Sequence, residues 1–498
     1  MNLLLLILFP FLTAVAILFT RNSNVKWVAL AGSVIQFILS FFLLALFYHE
    51  RQAGPPDSIG NPSAMLFQNQ YSLFRTLNIS FHTGVDGISV AMILLTAFVV
   101  LAGILVSWNE KRMVKEFYFL LTLLGLGAYG FFISLDLFVL FFFLEIAVIP
   151  KYLLIGIWGS GKKEYSANKL ALMLMGGSAL VLVGLLGVYF LGGTERTFDL
   201  LKIAQNPLPL HIQHIFFPLL FIGFGVFTAL FPFHTWVPDG HSAAPTAGSM
   251  FLAGISMKLG GYGCLRVATF LMPDAAKEYS TIIIILASIA ILYGAFATMM
   301  QKDLKYINAY SSISHCGFVL LGIGMLTKTA ITGAVIQMVS HGLMTALFFA
   351  VIGMIYDRTH TRIVADLGGL MKVMPFIMTI LFIVGLCSLG LPGFSGFVAE
   401  VTVFMGSWQN PDAFYRIATI AACMSIVVTA VYILRAISQA AMGPLKEGFT
   451  RLSDATWNEK LAAVLLIAGI VAIGVMPFWL NDLISPGAEI IMQKVVSK

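Results

Sequence analysis

The stretch FPFHTWVPDGHSAAPTAGSMFLAGISMKLGGYG, residues 231–263, decides the fold class. Its first half sets Pro232, Pro238 and Pro245 close together. No continuous helix tolerates that run, because proline lacks a backbone donor and clashes with the carbonyl four residues back. Its second half is apolar and carries a single lysine, Lys258, near its middle. An interrupted helix beside an apolar helix with an internal charge is how transporters place bare backbone groups and an ion inside a bilayer. The stretch therefore predicts a membrane protein built on broken helices.

The whole chain agrees. Of 498 residues, 59% are hydrophobic and 10% are charged, against the ~25% charge of a soluble globular protein. That is too little to cover a water-facing surface, which excludes a soluble domain and a disordered chain alike. The formal charge of +6 resides in short loops between apolar runs, where Lys and Arg act as topology signals; nucleic acid is excluded as a partner. Cys264, Cys316, Cys387 and Cys423 lie in apolar segments and never at CxxC spacing, so they read as small core residues. Residues 1–20 lack a basic n-region and a small-residue cleavage site, and are expected to be a retained first helix.

Hydropathy places candidate spans at 3–20, 27–48, 84–107, 116–133, 135–158, 168–192, 214–231, 242–271, 281–300, 303–325, 329–355, 373–408, 413–438 and 460–480. The expected fold is an all-α polytopic membrane protein of about 14 transmembrane helices, with residues 1–498 forming one membrane domain. The segment 373–408 is too long for one straight span and is interrupted by SLGLPGFSGF (388–397), while the seventh span runs into 231–248. Those are the two expected broken helices. The longest loop, 49–83, is polar and too short to fold alone. Loops on one side carry seventeen Lys and Arg and those on the other side ten, which places both termini on the outer, periplasmic side of a cell inner membrane.

Lys151 and Lys258 fall within helices instead. A charge at the bilayer centre costs ~2.5–3.5 kcal/mol on insertion scales, so one retained there is expected to line a hydrated path or to be paired. Glu145 lies deep in FVLFFFLEIAVIPKYLL, five residues before the helix-loosening Pro150. Glu400 follows the second break. His315 and His341 fall on consecutive helices, each within a polar stripe: Ser311, Ser314 and His315 on one, Gly333, Gln337, His341 and Thr345 on the other. Two such stripes suit a proton wire, since imidazole exchanges protons near neutral pH. Haem ligation would want two histidines per helix. His234, Asp239 and His241 offer metal-ligand types, but Pro238 and the small residues around them favour a tight structural turn.

The stretch 231–263, with GVDGISV (84–90), QKDLKYINAYSSISHCGF (301–318), GAVIQMVSHGLMTALFFAVIGMIYDRTHTR (333–362) and LGLPGFSGFVAE (389–400), resembles the antiporter-like subunits of respiratory complex I. FFFLEIAVIPKYLLIGIWG (141–159) and the absence of a long C-terminal lateral helix resemble chain M, the subunit-4 homologue, in particular. The resemblance implies two inverted five-helix repeats, 116–271 (helices 4–8) and 281–438 (helices 9–13). It implies proton-path roles for Glu145, Lys258, His315, His341, Glu400 and, at the entry to the fifth helix, Asp136. It also implies partners: neighbouring antiporter-like chains, the lateral helix of the chain L homologue, lipid, protons and internal water. No cofactor is expected in this chain, flavin and iron–sulfur clusters being expected in partner subunits.

One position departs from the pattern. Chain M relatives carry a lysine nine residues before the Trp of the HxWxPD motif, and here that position is Phe227. Lys151 is the expected substitute partner of Glu145, with Lys169 or water as the alternative. The implied function is proton translocation within an NADH:quinone oxidoreductase. Its rivals are a subunit of a multisubunit cation/proton antiporter or a membrane-bound hydrogenase, and a non-conducting structural coupling subunit.

Overall fold

The computed structural model of the chain describes residues 1–53, 65–193 and 196–496. Its helices are α1 (Leu5–Phe19), α2 (Val25–Ala53), α3 (Gly87–Val106), α4 (Val114–Ile133), α5 (Leu137–Trp158), α6 (Lys163–Leu191), α7 (Leu200–Gln205), α8 (Leu210–Thr228), α9 (Trp236–Ala243), α10 (Thr246–Phe251), α11 (Met257–Gly263), α12 (Pro273–Met299), α13 (Leu304–Gly324), α14 (Lys328–Thr359), α15 (Pro375–Ser388), α16 (Ser395–Trp408), α17 (Ala413–Ala441), α18 (Trp457–Val475) and α19 (Phe478–Val496). Ten of these are long and apolar enough to cross a membrane. Local chemistry sets their starts. Asp86, Asp136, Asp199, Asp303 and Asp412 each accept backbone N–H groups at the first turn of α3, α5, α7, α13 and α17, satisfying donors that have no partner inside the helix. Thr456 and Glu459 close a capping box on α18.

Helix α14 is the axis of the molecule, buried along its apolar window, and α3 is nearly so. Helices α10, α13, α16, α18 and α19 pack against α14. At the periphery, α6, α12 and α17 expose Leu172, Met175, Ile282, Met424 and Val427, the apolar coat that a bilayer requires.

Both expected interruptions are present, though with different bounds. Helix α8 stops at Thr228, where Ala229 takes a left-handed conformation. The chain then re-enters through α9, and α15 and α16 are parted by residues 389–394. The expected span 242–271 begins at Thr246 and widens twice, into π-turns at Leu252–Ser256 and Cys264–Thr269 on either side of α11. Such turns free carbonyls in mid-helix and mark functional sites.

Three expectations need correction. The loop 49–83 folds in part: β1 (Leu66–Phe74) and β2 (Ile79–Val85) form an antiparallel hairpin, whereas residues 54–64 lie outside the described residues. The chain is thus not purely helical. The last span ends at Val475 rather than 480, and α19 follows it, a helix that its two acids and Pro486 hide from hydropathy. Arg266 and Lys305, counted among loop charges, are buried at helix ends: Arg266 pairs with Asp86, and Lys305 donates to Ala244 O at 2.7 Å.

Candidate functional site

Lys258 lies on α11 between the two π-turns and is 1% exposed. Its ammonium donates to the Ala253 carbonyl inside the first π-turn and meets His341 Nδ1 at 2.7 Å. That contact needs the helix backbones close together. A Cβ on Gly342 would lie 2.7 Å from Gly254 O, so Gly254, one turn before Lys258, and Gly342, next to His341, permit the approach.

From His341 the polar groups continue. The ring of His315, on α13, lies 5.3 Å from that of His341, centroid to centroid. Cys316, next to His315 on α13, places its sulfur 3.9 Å from His341 Nδ1. His315 Nδ1 is 3.2 Å from the Gln337 amide nitrogen and 3.5 Å from Glu400 Oε1, and its Nε2 is 3.3 Å from Ser388 Oγ. Glu400 sits in the second turn of α16, just past the second break, and is 5% exposed. Gly390, in that break, has φ +75°, and a Cβ there would fall 2.5 Å from Glu400 Oε2. Four helices thus align Lys258, His341, His315 and Glu400 in one buried row. Chemically it is a cation and a carboxylic acid joined by two imidazoles, each able to accept a proton at one nitrogen and donate one at the other. His341 Nε2, Gln337 Oε1, Ser256 Oγ and both amide atoms of Asn308 are buried without a hydrogen-bond partner. Polar atoms left so are costly in a sealed apolar core and ordinary along a hydrated one.

The first half is arranged differently. Glu145 is half-buried and shares its face of α5 with the exposed Phe142 and Ile149. Lys151 points inward, 1% exposed, its ammonium 5.8 Å from the centre of the Phe227 ring. Lys169 is not beside Glu145: it pairs with Asp239 of α9 at 2.7 Å. Asp136 is a helix cap. Its carboxylate accepts from Phe138 N, Val139 N and, across to the hairpin, Ser80 N. Burial nevertheless pushes this acid, outside the spans, up to about 6, against those three hydrogen bonds. Asp199 beside it is also pushed up by burial, but the His82 ring and two backbone N–H groups outweigh that and hold it below its usual value.

Residues 134–425 match the family described as NADH:quinone oxidoreductase/Mrp antiporter, transmembrane. The chain belongs to that family. It is 37% identical over 506 residues to NAD(P)H-quinone oxidoreductase chain 4 of the chloroplast of Chlorokybus atmophyticus, covering 98% of this chain and 95% of that one. It is 36% identical to NADH-quinone oxidoreductase subunit M of Rickettsia bellii, over 92% and 90% of the two chains. Among solved structures, a chain of respiratory complex I from Thermus thermophilus with bound NADH superposes at a TM-score of 0.88, with 25% identity and 99% of each chain covered. Within the antiporter family, the chain therefore groups with subunit M and chain 4.

Three residues of this buried row carry little signal in the sequence. Gln337 stands out in the sequence as part of a polar stripe, but its contact with His315 does not; Cys316 reads as packing; Ser388 carries no signal, lying at the edge of the break. His234 and His241 rest on aromatic rings, His234 on Phe231 and Tyr293, His241 on Phe349.

Proposed function

We propose that the chain is a proton-translocating membrane-arm subunit of an NADH:quinone oxidoreductase, carrying protons along the buried row from Lys258 to Glu400. The row itself is the observation that carries the reading, from the 2.7 Å contact of Lys258 with His341 to the 3.5 Å approach of His315 to Glu400. A proton given up by the Lys258 ammonium to His341, passed to His315 and received by the Glu400 carboxylate neutralises both ends at once. In a medium of low dielectric, charges at that spacing govern one another's protonation. A conformational or electrostatic push from quinone reduction elsewhere in the assembly then sets the direction of flow. Redox chemistry belongs to partner subunits that carry flavin and iron–sulfur clusters.

The same proposal includes fourteen crossings: the ten long apolar helices together with α1, the broken pair α15 and α16, the widened helix 246–269, and α13, whose polar stripe lowers its hydropathy. It divides them into inverted repeats at 116–271 and 281–438. Support comes from a shared device. The capping Asp136 of α5 bridges Asp199, and the capping Asp303 of α13 bridges Ile363, so each repeat pins one helix start to a later loop. Both termini are placed on the outer side of the cell inner membrane. Glu145, on a face with exposed Phe142 and Ile149, is placed against a neighbouring antiporter-like chain, because lipid would not tolerate the carboxylate.

Tagging the chain in its native membrane and identifying what co-purifies tests this reading. Flavin- and cluster-bearing chains with quinone reductase activity are expected. Co-purification solely with other antiporter subunits would refute it in favour of a cation/proton antiporter.

A further inference from the structure

Among the described residues, Lys151 is the lysine whose ammonium is buried without a hydrogen-bond partner. It is held on α5 beneath the second turn after Glu145, and an aromatic face, Phe227 of α8, lies 5.8 Å away. A ring face compensates an ammonium only in part. An ionised amine without a hydrogen-bond partner is not stable in an apolar interior. Two further buried atoms on the same group of packed helices lack partners: Glu145 Oε1 on α5 and Ser178 Oγ on α6, and α6 packs against both α5 and α8. Other cations of this region are committed. Lys169 pairs with Asp239, and Lys258 with His341 and Ala253.

Lys151 and Glu145 are six residues apart on one helix, ~9 Å of rise and about 120° of rotation. The structure keeps that angle: Glu145 shares its face of α5 with the exposed Phe142 and Ile149 while burying one carboxylate oxygen, and the ammonium faces inward, towards the end of α8 at the first break. Their separation excludes a fixed ion pair and suits an exchange, since flexible side chains and water span such a distance in steps. Lys151 lies nearer than Glu145 to the basic end of α5, where Arg112 and Lys163 both donate to Ile157 O.

We infer that Lys151 is the proton-exchanging cation of the first half of the molecule, passing protons between the inner side and Glu145 from beside Phe227. In one step its ammonium yields a proton towards the Glu145 carboxylate, leaving a neutral amine and a neutral acid. The amine then takes a proton from water on the inner side, and Glu145 releases its own onward, so charge and protons balance over a cycle. This inference rests on the proton-translocating reading above.

The test uses the whole assembled complex in proteoliposomes, with proton transport followed by a pH-sensitive dye during quinone reduction and normalised to complex content. Lys151→Met, similar in length and apolar, should lose roughly a hundredfold in transport, the lower end of the range for a lost proton-transfer group. Lys151→Gln, which keeps polarity but exchanges no proton, should lose as much and guards against a methionine variant that fails to assemble. Phe227→Lys added to Lys151→Met should recover part of the loss, by returning an ammonium to the same space from α8. Combining Lys151→Met with Glu145→Gln should add little to either alone, as expected of residues that share one step. Wild-type transport in an assembled Lys151 variant beside an impaired Glu145→Gln would overturn the inference and leave the wider reading standing. A fully additive loss, or none recovered by lysine at 227, would overturn it as well. Wild-type transport in both single variants would place the Lys151 and Glu145 pair outside the proton path and overturn the inference, while the row from Lys258 to Glu400 would be tested separately by its own variants.

Discussion

Replacing Lys258 by alanine isolates the first step of the row. Two energies bear on whether the chain still folds. Removing the side chain leaves a cavity of under about 100 Å³, which at ~24 cal/mol per Å³ costs roughly 2 kcal/mol. It also removes a buried cation whose place in the membrane costs ~2.5–3.5 kcal/mol. These offset, so Lys258→Ala should assemble at close to the parent level. Function should not survive as well. The ammonium stands 2.7 Å from His341 Nδ1, and the next group on that nitrogen is the Cys316 sulfur at 3.9 Å, a weak donor. With the proton donor gone, transport should fall by about 10²-fold or more, the range found on losing a positioned acid or base. Dye-monitored proton uptake by proteoliposomes holding equal amounts of complex reads this directly. Full transport in assembled Lys258→Ala would refute the role of this lysine, and failure of assembly with unchanged specific activity would make it structural.

Two other substitutions act on the second break and on the hairpin. Gly390→Ala adds a Cβ that must clear Glu400 Oε2, now at 2.5 Å from its ideal position, and φ +75° strains any other residue by roughly 1–2 kcal/mol. Transport should drop on the order of tenfold to a hundredfold from a displacement near 1 Å, with complex content little changed; parent-level transport would show that the placement of Glu400 is unimportant. Asp136→Asn addresses pH at the hairpin. The folded acid titrates at about 6 against a usual 3.8, so it disfavours the folded state increasingly as pH rises between those values and fully above about 6. Asparagine, itself a good cap, should therefore raise hydrogen-exchange protection of Ile79–Val85 above pH 6 relative to the parent and make no difference near pH 4; the opposite trend would contradict the assignment.

Much of the site was legible because a charge in an apolar helix has so few innocent explanations. Lys258, Glu400, His315 and His341 were each recognisable in isolation, and the two proline- and glycine-rich interruptions marked where backbone is exposed near them. The 3.6-residue period also set Lys151 and Glu145 on different faces, as the structure has them. What the sequence did not disclose is which helices meet. That α11 lies against α14 depends on Gly254 and Gly342 admitting a close approach, and nothing local pairs residues eighty-odd positions apart. For the same reason the sequence leaves Lys169 as a candidate partner of Glu145, whereas α9 folds back to offer it Asp239. Arg266 and Lys305 misled by their nearness to helix ends, since a long side chain there either snorkels outward or turns in to an acid or a carbonyl. The helix α19 escaped because Asp482, Pro486 and Glu489 break the apolar run that hydropathy requires.

The measurement closest to the central claim is proton transport by the reconstituted complex with His341→Phe, a ring of similar size that packs but holds no proton. His341 stands between the Lys258 ammonium and the His315 ring that leads to Glu400, so every proton following the row crosses it. Assembly should be intact and transport reduced by about 10²-fold or more. Transport within about twofold of the parent, at equal complex content, would contradict that claim.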